Sequence, residues 1–149
     1  MDIKSILQEY DGMFGHRPLT QIEEYLAGKI GEAKRVGDES AEITLLNEMI
    51  GLCRDTSQGE KALEYCGQLK ELLHKQGLEG TKDYATSMQN IANAYRAFGL
   101  WEKAKEAFED IERTYKESLD KGIICGPVCI TIGGFCIRRC RIMTVLWRL

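Results

Sequence analysis

The sequence predicts an all-α protein: antiparallel helix-turn-helix units stacked as a short right-handed α-solenoid. Three observations predict it. Positions recur at a fixed offset of 42 residues, pairing Cys53 with Tyr95, Ala62 with Ala104, Cys66 with Phe108 and Leu69 with Ile111. A fixed period in this range marks units that bury their apolar faces only against their neighbours. The chain also contains only two prolines in 149 residues and is rich in Ala, Leu, Glu and Lys, all of which favours helix. Finally, apolar residues before position 122 fall at helical spacing, and no alternating strand pattern competes with them.

The elements follow in order. Residues 3–13 form a short helix with Ile3, Ile6, Leu7 and Tyr10 on one face, punctuated by Gly12, Gly15 and Pro18. A second helix over 19–35 turns Ile22, Tyr25, Leu26 and Ile30 inward, and Gly37 and Asp38 close it. Ser40 is placed to cap the third helix, 41–54, which carries Leu45, Leu46, Met49 and Cys53 at helical spacing. The fourth, 58–75, turns Ala62, Cys66, Leu69 and Leu73 inward. A two-glycine turn over 76–83 leads to the fifth helix, 84–98, with Tyr84, Met88, Ile91, Tyr95 and Phe98 on one stripe. After Gly99 a sixth helix, 100–119, is expected to turn Trp101, Ala104, Phe108, Ile111 and Tyr115 inward. Its outer face offers the i,i+4 pairs Glu109/Arg113 and Glu112/Lys116, a solvated face that needs no functional reading. The units are then 1–38, a degenerate first repeat; 39–80 and 81–122, two repeats; and 123–149, an atypical tail.

Composition narrows the function. The net charge is −3 and no basic block precedes residue 138, which argues against nucleic acid. The opening residues lack the apolar run of a signal peptide, so the expected compartment is the cytosol. Reduced thiols are expected there, and Cys53 and Cys66 on apolar helix faces act as small hydrophobes. His16 sits in a Gly-Pro turn and His74 near a helix end, both isolated. There is no glycine-rich phosphate loop, no catalytic Cys/His spacing and no carboxylate cluster at metal spacing, so neither an enzyme nor a cofactor is expected.

The stretch NIANAYRAFGLWEKAKEAFEDI resembles a tetratricopeptide repeat. Asn90, Ile91, Ala92, Tyr95, Gly99, Trp101, Ala104, Phe108 and Ile111 carry the resemblance. The preceding copy places Ile50, Cys53, Ser57, Gly59, Ala62 and Cys66 at the same phases; Ser57 stands for the usual glycine and Gly59 for the aromatic. The 42-residue period exceeds the common 34 and is similar to the longer repeats of kinesin light chains and related bacterial scaffold proteins. The resemblance implies that Ala92 and Ala104 let two helices approach closely while Tyr95 and Phe108 fill the space between them. It also implies a concave groove lined by the first helix of each unit. Transferred by phase, the groove positions are Thr44, Asn47, Gly51 and Arg54, then Thr86, Gln89, Asn93 and Arg96. Arg54 and Arg96 lie 42 apart and are expected to stack on one face, where guanidinium groups can hold a carboxylate bidentately. The plainer reading is a solvated face of short helices. The expected function is therefore non-catalytic binding of a protein or peptide segment, an acidic one fitting best. The alternatives are self-association through the last helix face and a fragment of a larger regulator.

Residues 123–149 change character: acidic residues vanish while Cys, Ile and Arg dominate. Three readings compete. A membrane span is unfavoured, because the uncharged stretch 123–137 is short and broken by Pro127 and three glycines. A zinc site could use Cys125, Cys129, Cys136 and Cys140, but C-x3-C-x6-C-x3-C matches no common finger or ribbon. The third reading is a reading-frame slip near the Gly122 codon. Restoring one base permits DYMWASLYNNWRLLYQEMQDYDRALEA, whose tyrosine and alanine land at positions 137 and 146, in phase with Tyr95 and Ala104. On that reading the tail replaces a third repeat, and its run CITIGGFCI is an aggregation hazard.

Overall fold

The computed structural model describes residues 1–120 and two short strands further on, with side chains described through residue 117. Six helices run in sequence: α1 Ile3–Met13, α2 Leu19–Val36, α3 Glu39–Asp55, α4 Gly59–Lys75, α5 Lys82–Ala97 and α6 Trp101–Asp120. Short polar side chains start three of them. Asp2 accepts from the Ser5 amide at 3.2 Å, Asp38 from Ala41 at 3.0 Å and Thr81 from Tyr84 at 3.2 Å. Each satisfies an amide that has no partner within its helix. Asp38, not Ser40, therefore caps α3, because Asp38 stands three residues before the amide that needs an acceptor. Helix α3 consequently begins at Glu39, and the Thr81 cap likewise starts α5 at Lys82.

The helix ends repeat one device. The amide five residues on closes onto Ala33, Cys53, Leu73 and Tyr95 carbonyls, from Asp38, Gln58, Leu78 and Leu100, at 3.0, 2.8, 3.1 and 2.8 Å. This closure requires one left-handed residue just past the helix. Gly37, Gly77 and Gly99 supply it with φ of 71°, 61° and 74°. Ser57 adopts φ of 59° in the same place, among the described residues the one non-glycine with a positive φ. Gly15, Ser57 and Gly99 are spaced 42 apart and all have positive φ, but α1 ends without this closing bond and the α2 and α4 closures lie 40 apart.

The core is continuous across the pairs. Ile22, Leu26, Leu45, Leu46, Met49, Ile50, Leu69, Leu73, Ile91 and Ile111 are fully buried, with Cys53 and Cys66 among them. Ala62, Ala92 and Ala104 are buried, while Tyr95, Phe108 and Tyr115 are half-buried against the core or its edge. Successive helices pack on one another, and α3 also packs on α5, as the first helices of adjacent units. Polar ties hold α2 to α4: Glu23 accepts from Gln58 at 3.1 Å and pairs with Lys61, and Lys34 donates to Gln68 at 2.8 Å. The Tyr84 hydroxyl donates to Asp110 at 2.5 Å, tying α5 to α6.

Two expectations are corrected. Trp101 does not turn inward; it is 65% exposed. Its counterpart one unit earlier, Gly59, lies under the Phe98 ring, and a Cβ added there would stand 3.1 Å from Cδ1. Phe98 thus belongs to the following unit and closes over the start of α4, whereas α6 begins at the last described unit. On the outer face, Arg113 pairs with Asp110 rather than Glu109, which pairs with Lys105, while Glu112 and Lys116 pair as read. Strands β1 Ile130–Ile132 and β2 Phe135–Ile137 pair antiparallel, with Ile130 opposite Ile137 and Ile132 opposite Phe135. A Gly-Gly sequence between them is the chemistry of a tight hairpin. The tail cysteine side chains, and with them the zinc and frame-slip readings, lie outside the described residues.

Candidate interaction surface

The first helices of successive units, α3 and α5, lie side by side and carry the eight positions assigned to a groove. Thr44 and Thr86 behave alike. Each hydroxyl donates to the carbonyl four residues back in its own helix, Ser40 and Lys82, at 3.0 Å. Their hydroxyl hydrogens are thereby engaged within the helix.

Asn47 and Arg54 do more than line a surface. The Asn47 amide donates to the Ile43 carbonyl and across to the Ser87 hydroxyl, each at 3.0 Å. The Asn90 amide returns the contact, donating to the Asn47 carbonyl at 2.8 Å and to its side-chain oxygen at 3.2 Å. Arg54 Nη1 donates to the Asn90 oxygen at 3.4 Å, and its Nε pairs with Asp55 at 3.2 Å. A polar chain Ser87–Asn47–Asn90–Arg54 therefore crosses from helix to helix. It fixes the Arg54 guanidinium in a half-buried position with one face of the fork committed.

Arg96 is arranged otherwise. It is exposed and has no hydrogen-bond or ion-pair partner among the described residues. Asn93, one turn before it, is half-buried, and its side-chain oxygen is a buried acceptor with no donor. Buried acceptors are normally satisfied, so such an atom marks a place where a donor fits. Gln89 is half-buried. The two arginines thus share a register but not an environment: Arg54 is held and Arg96 projects.

The residues that join the two helices were only partly visible beforehand. Asn90 entered through the repeat pattern, without a role in the groove. Ser87 was missed, though a signal existed: it occupies the phase of buried Leu45 and is itself buried. A polar residue at an apolar phase needs a partner, and Asn47 is that partner. At the equivalent seam between α1 and α3 the phase of Asn90 is held by Glu48. Burial, then the nearby Asp11 charge, raise the Glu48 carboxyl above its usual range.

The titratable side chains among the described residues are arranged as follows. Burial pushes the Cys66 thiol up to about 12 and raises Cys53 as well, so both are neutral thiols at physiological pH. His74 pairs with Glu79 at an exposed helix end. His16 lines a shallow cleft of about 720 Å³ between α1 and α2 with Glu9, Met13, Arg17 and Tyr25. Among the described residues no group of three or more His, Cys, Asp or Glu is placed to hold a metal ion. No described helix is long and apolar enough to cross a membrane.

Stacked helical pairs with a shared seam and a polar ledge define a helical-repeat interaction module. The chain belongs to the tetratricopeptide repeat family, whose sequence profile matches residues 25–117, more than half its length. Repeats of this family mediate protein–protein interaction. Comparison with curated proteins, and with solved structures, returned no match.

Proposed function

We propose that the α3–α5 ledge receives an extended peptide or protein segment and that Arg54 and Arg96 hold an acidic group of it. The protein then acts by binding and not by catalysis. The observation that carries the reading is the polar chain that orients Arg54. A guanidinium already fixed by Asn90 loses less side-chain freedom on meeting a carboxylate than a mobile one does. Asn93 supplies an acceptor for a backbone amide of the same segment, and Arg96 adds a second positive charge one unit further on.

Selection from a random peptide display library tests this. Bound sequences are expected to be enriched in Asp and Glu. The double variant Arg54→Glu/Arg96→Glu should weaken the selected peptides about tenfold or more, roughly 1.4 kcal/mol. Lys116→Glu, on the outer face of α6, should leave them unchanged. Acidic peptides that bind the double variant as well as the parent would overturn the reading.

A further inference from the structure

Resting on the ledge as the binding site, we propose that the segment it receives is a polyproline II helix with two acidic side chains three residues apart. The two arginines set the spacing. Arg54 is the penultimate residue of α3 and Arg96 the penultimate residue of α5. Both helices end by the same closing bond, from Gln58 to Cys53 and from Leu100 to Tyr95, so their last turns are built alike. The helices are also in direct contact, with Asn47 bonded to Ser87 at 3.0 Å and to Asn90 at 2.8 and 3.2 Å. Packed helices lie about 8–10 Å apart, axis to axis, so the two arginine stems start about that far from each other. Arg96, exposed, takes up the remaining difference.

Of the regular backbone conformations, one fits both this spacing and the hydrogen bonding. On a β-strand, side chains of one face recur at about 6.7 Å and then at about 13 Å. Polyproline II has three residues per turn and rises about 3.1 Å per residue, so side chains three apart share a face at about 9.3 Å. An α-helix brings one face round again after seven residues, at about 10.5 Å, but it commits its amides internally. Asn93 needs one of those amides. Its side-chain oxygen is buried without a donor, one turn before Arg96 on α5. Buried acceptors are normally satisfied, and polyproline II, which makes no internal bonds, leaves every amide free to donate.

The two arginines then play unequal parts. Arg54 Nε is engaged by Asp55 at 3.2 Å and its Nη1 by Asn90 at 3.4 Å, so its remaining N–H groups meet a carboxylate from one fixed direction. It sets where the first acid must lie. Arg96, with no partner among the described residues, offers its whole fork to the second acid and can grip it bidentately. Asn93 accepts from an amide of the residues that separate the acids, or from that of the second acid itself. The residue that donates to Asn93 therefore cannot be proline, which has no N–H. Proline elsewhere in the segment pre-sets the backbone and lowers the cost of ordering it.

Fluorescence anisotropy of the full chain with labelled synthetic peptides tests the proposal. Each peptide carries two glutamates, set two, three, four or seven positions apart in the same uncharged background, so its charge is constant. The three-position peptide should bind about tenfold or more tightly than the others, because it alone engages both arginines at once. Arg54→Gln should bring all of them within about twofold of one another, since the fixed point is lost while Arg96 remains. Methylating the amides of the best peptide one at a time should single out one position that weakens binding about fivefold or more, and Asn93→Ala should remove that sensitivity. Circular dichroism checks that the variants stay helical; Arg54→Lys and Asn93→Leu replace any that do not. Arginine-dependent binding with no preference for spacing, or with a preference for two, four or seven, overturns the polyproline II assignment and leaves the acidic ledge standing. Failure of every peptide to bind overturns both.

Discussion

Ser57 shows most directly how one residue reports the backbone around it. Its φ of 59° places an L side chain where Cβ crowds the following carbonyl, at a cost of about 1–2 kcal/mol. The bond from the Gln58 amide to the Cys53 carbonyl at 2.8 Å holds it there, as the Leu100–Tyr95 bond holds Gly99. Ser57→Gly should therefore stabilise the protein by about 0.5–1 kcal/mol, net of the entropy glycine adds to the unfolded chain. A thermal midpoint that rises by a few degrees is the expected readout; one that falls would show that the serine makes a compensating contact. The departure from the family pattern at Ser57 was legible in the sequence; its left-handed backbone was not. Trp101 was not legible in the same way. Periodicity gives the face a residue belongs to but not whether a neighbour covers that face, and Trp101 belongs to the last described unit.

At the scale of elements, the seam between α3 and α5 is polar where most of the core is apolar. Asn90 makes two donations and one acceptance across it, so its loss removes two donors from Asn47 and leaves Arg54 only its pair with Asp55. Asn90→Ala should cost about 1–3 kcal/mol, measurable as a lower urea midpoint with an unchanged slope. An unchanged midpoint would mean that water replaces all three bonds without loss. Helix positions were read closely from the sequence because apolar spacing and glycine stops agree. Starts were read less well: Asp38 and Thr81 each open their helix two residues before the expected start, since the capping residue precedes the apolar pattern. The groove was read by phase, and phase treats Arg54 and Arg96 alike. Their difference arises from Asn90, an inter-helix partner that no single helix reveals.

Taken whole, the molecule is an array whose described helical part holds together by neighbour contacts. The 42-residue ruler places the first helix of a third unit over residues 124–139, and within that span the chain instead pairs two strands, Ile130–Ile132 and Phe135–Ile137. A unit that relies only on adjacent units should tolerate loss of residues further along the chain. Removal of residues 123–149 is therefore expected to leave the far-ultraviolet helical signal per molecule nearly unchanged. A marked loss of helicity would place the removed residues in the core. Fold class was legible because repetition states it twice. The tail was legible only as a break, because strand pairing over three residues leaves a weaker trace than helical spacing over fifteen.

The left-handed positions at 15, 57 and 99 have a consequence for how such a chain can be lengthened. At the second and third of them the chain leaves one helix and enters the next through the same backbone path and the same closing bond. They are natural seams for cutting and rejoining. A copy of the 42 residues between two of them, inserted at the next, would meet at each end the turn it already makes. Growth by tandem copying thus asks for no new backbone geometry at the joints, only for side chains that suit a new neighbour.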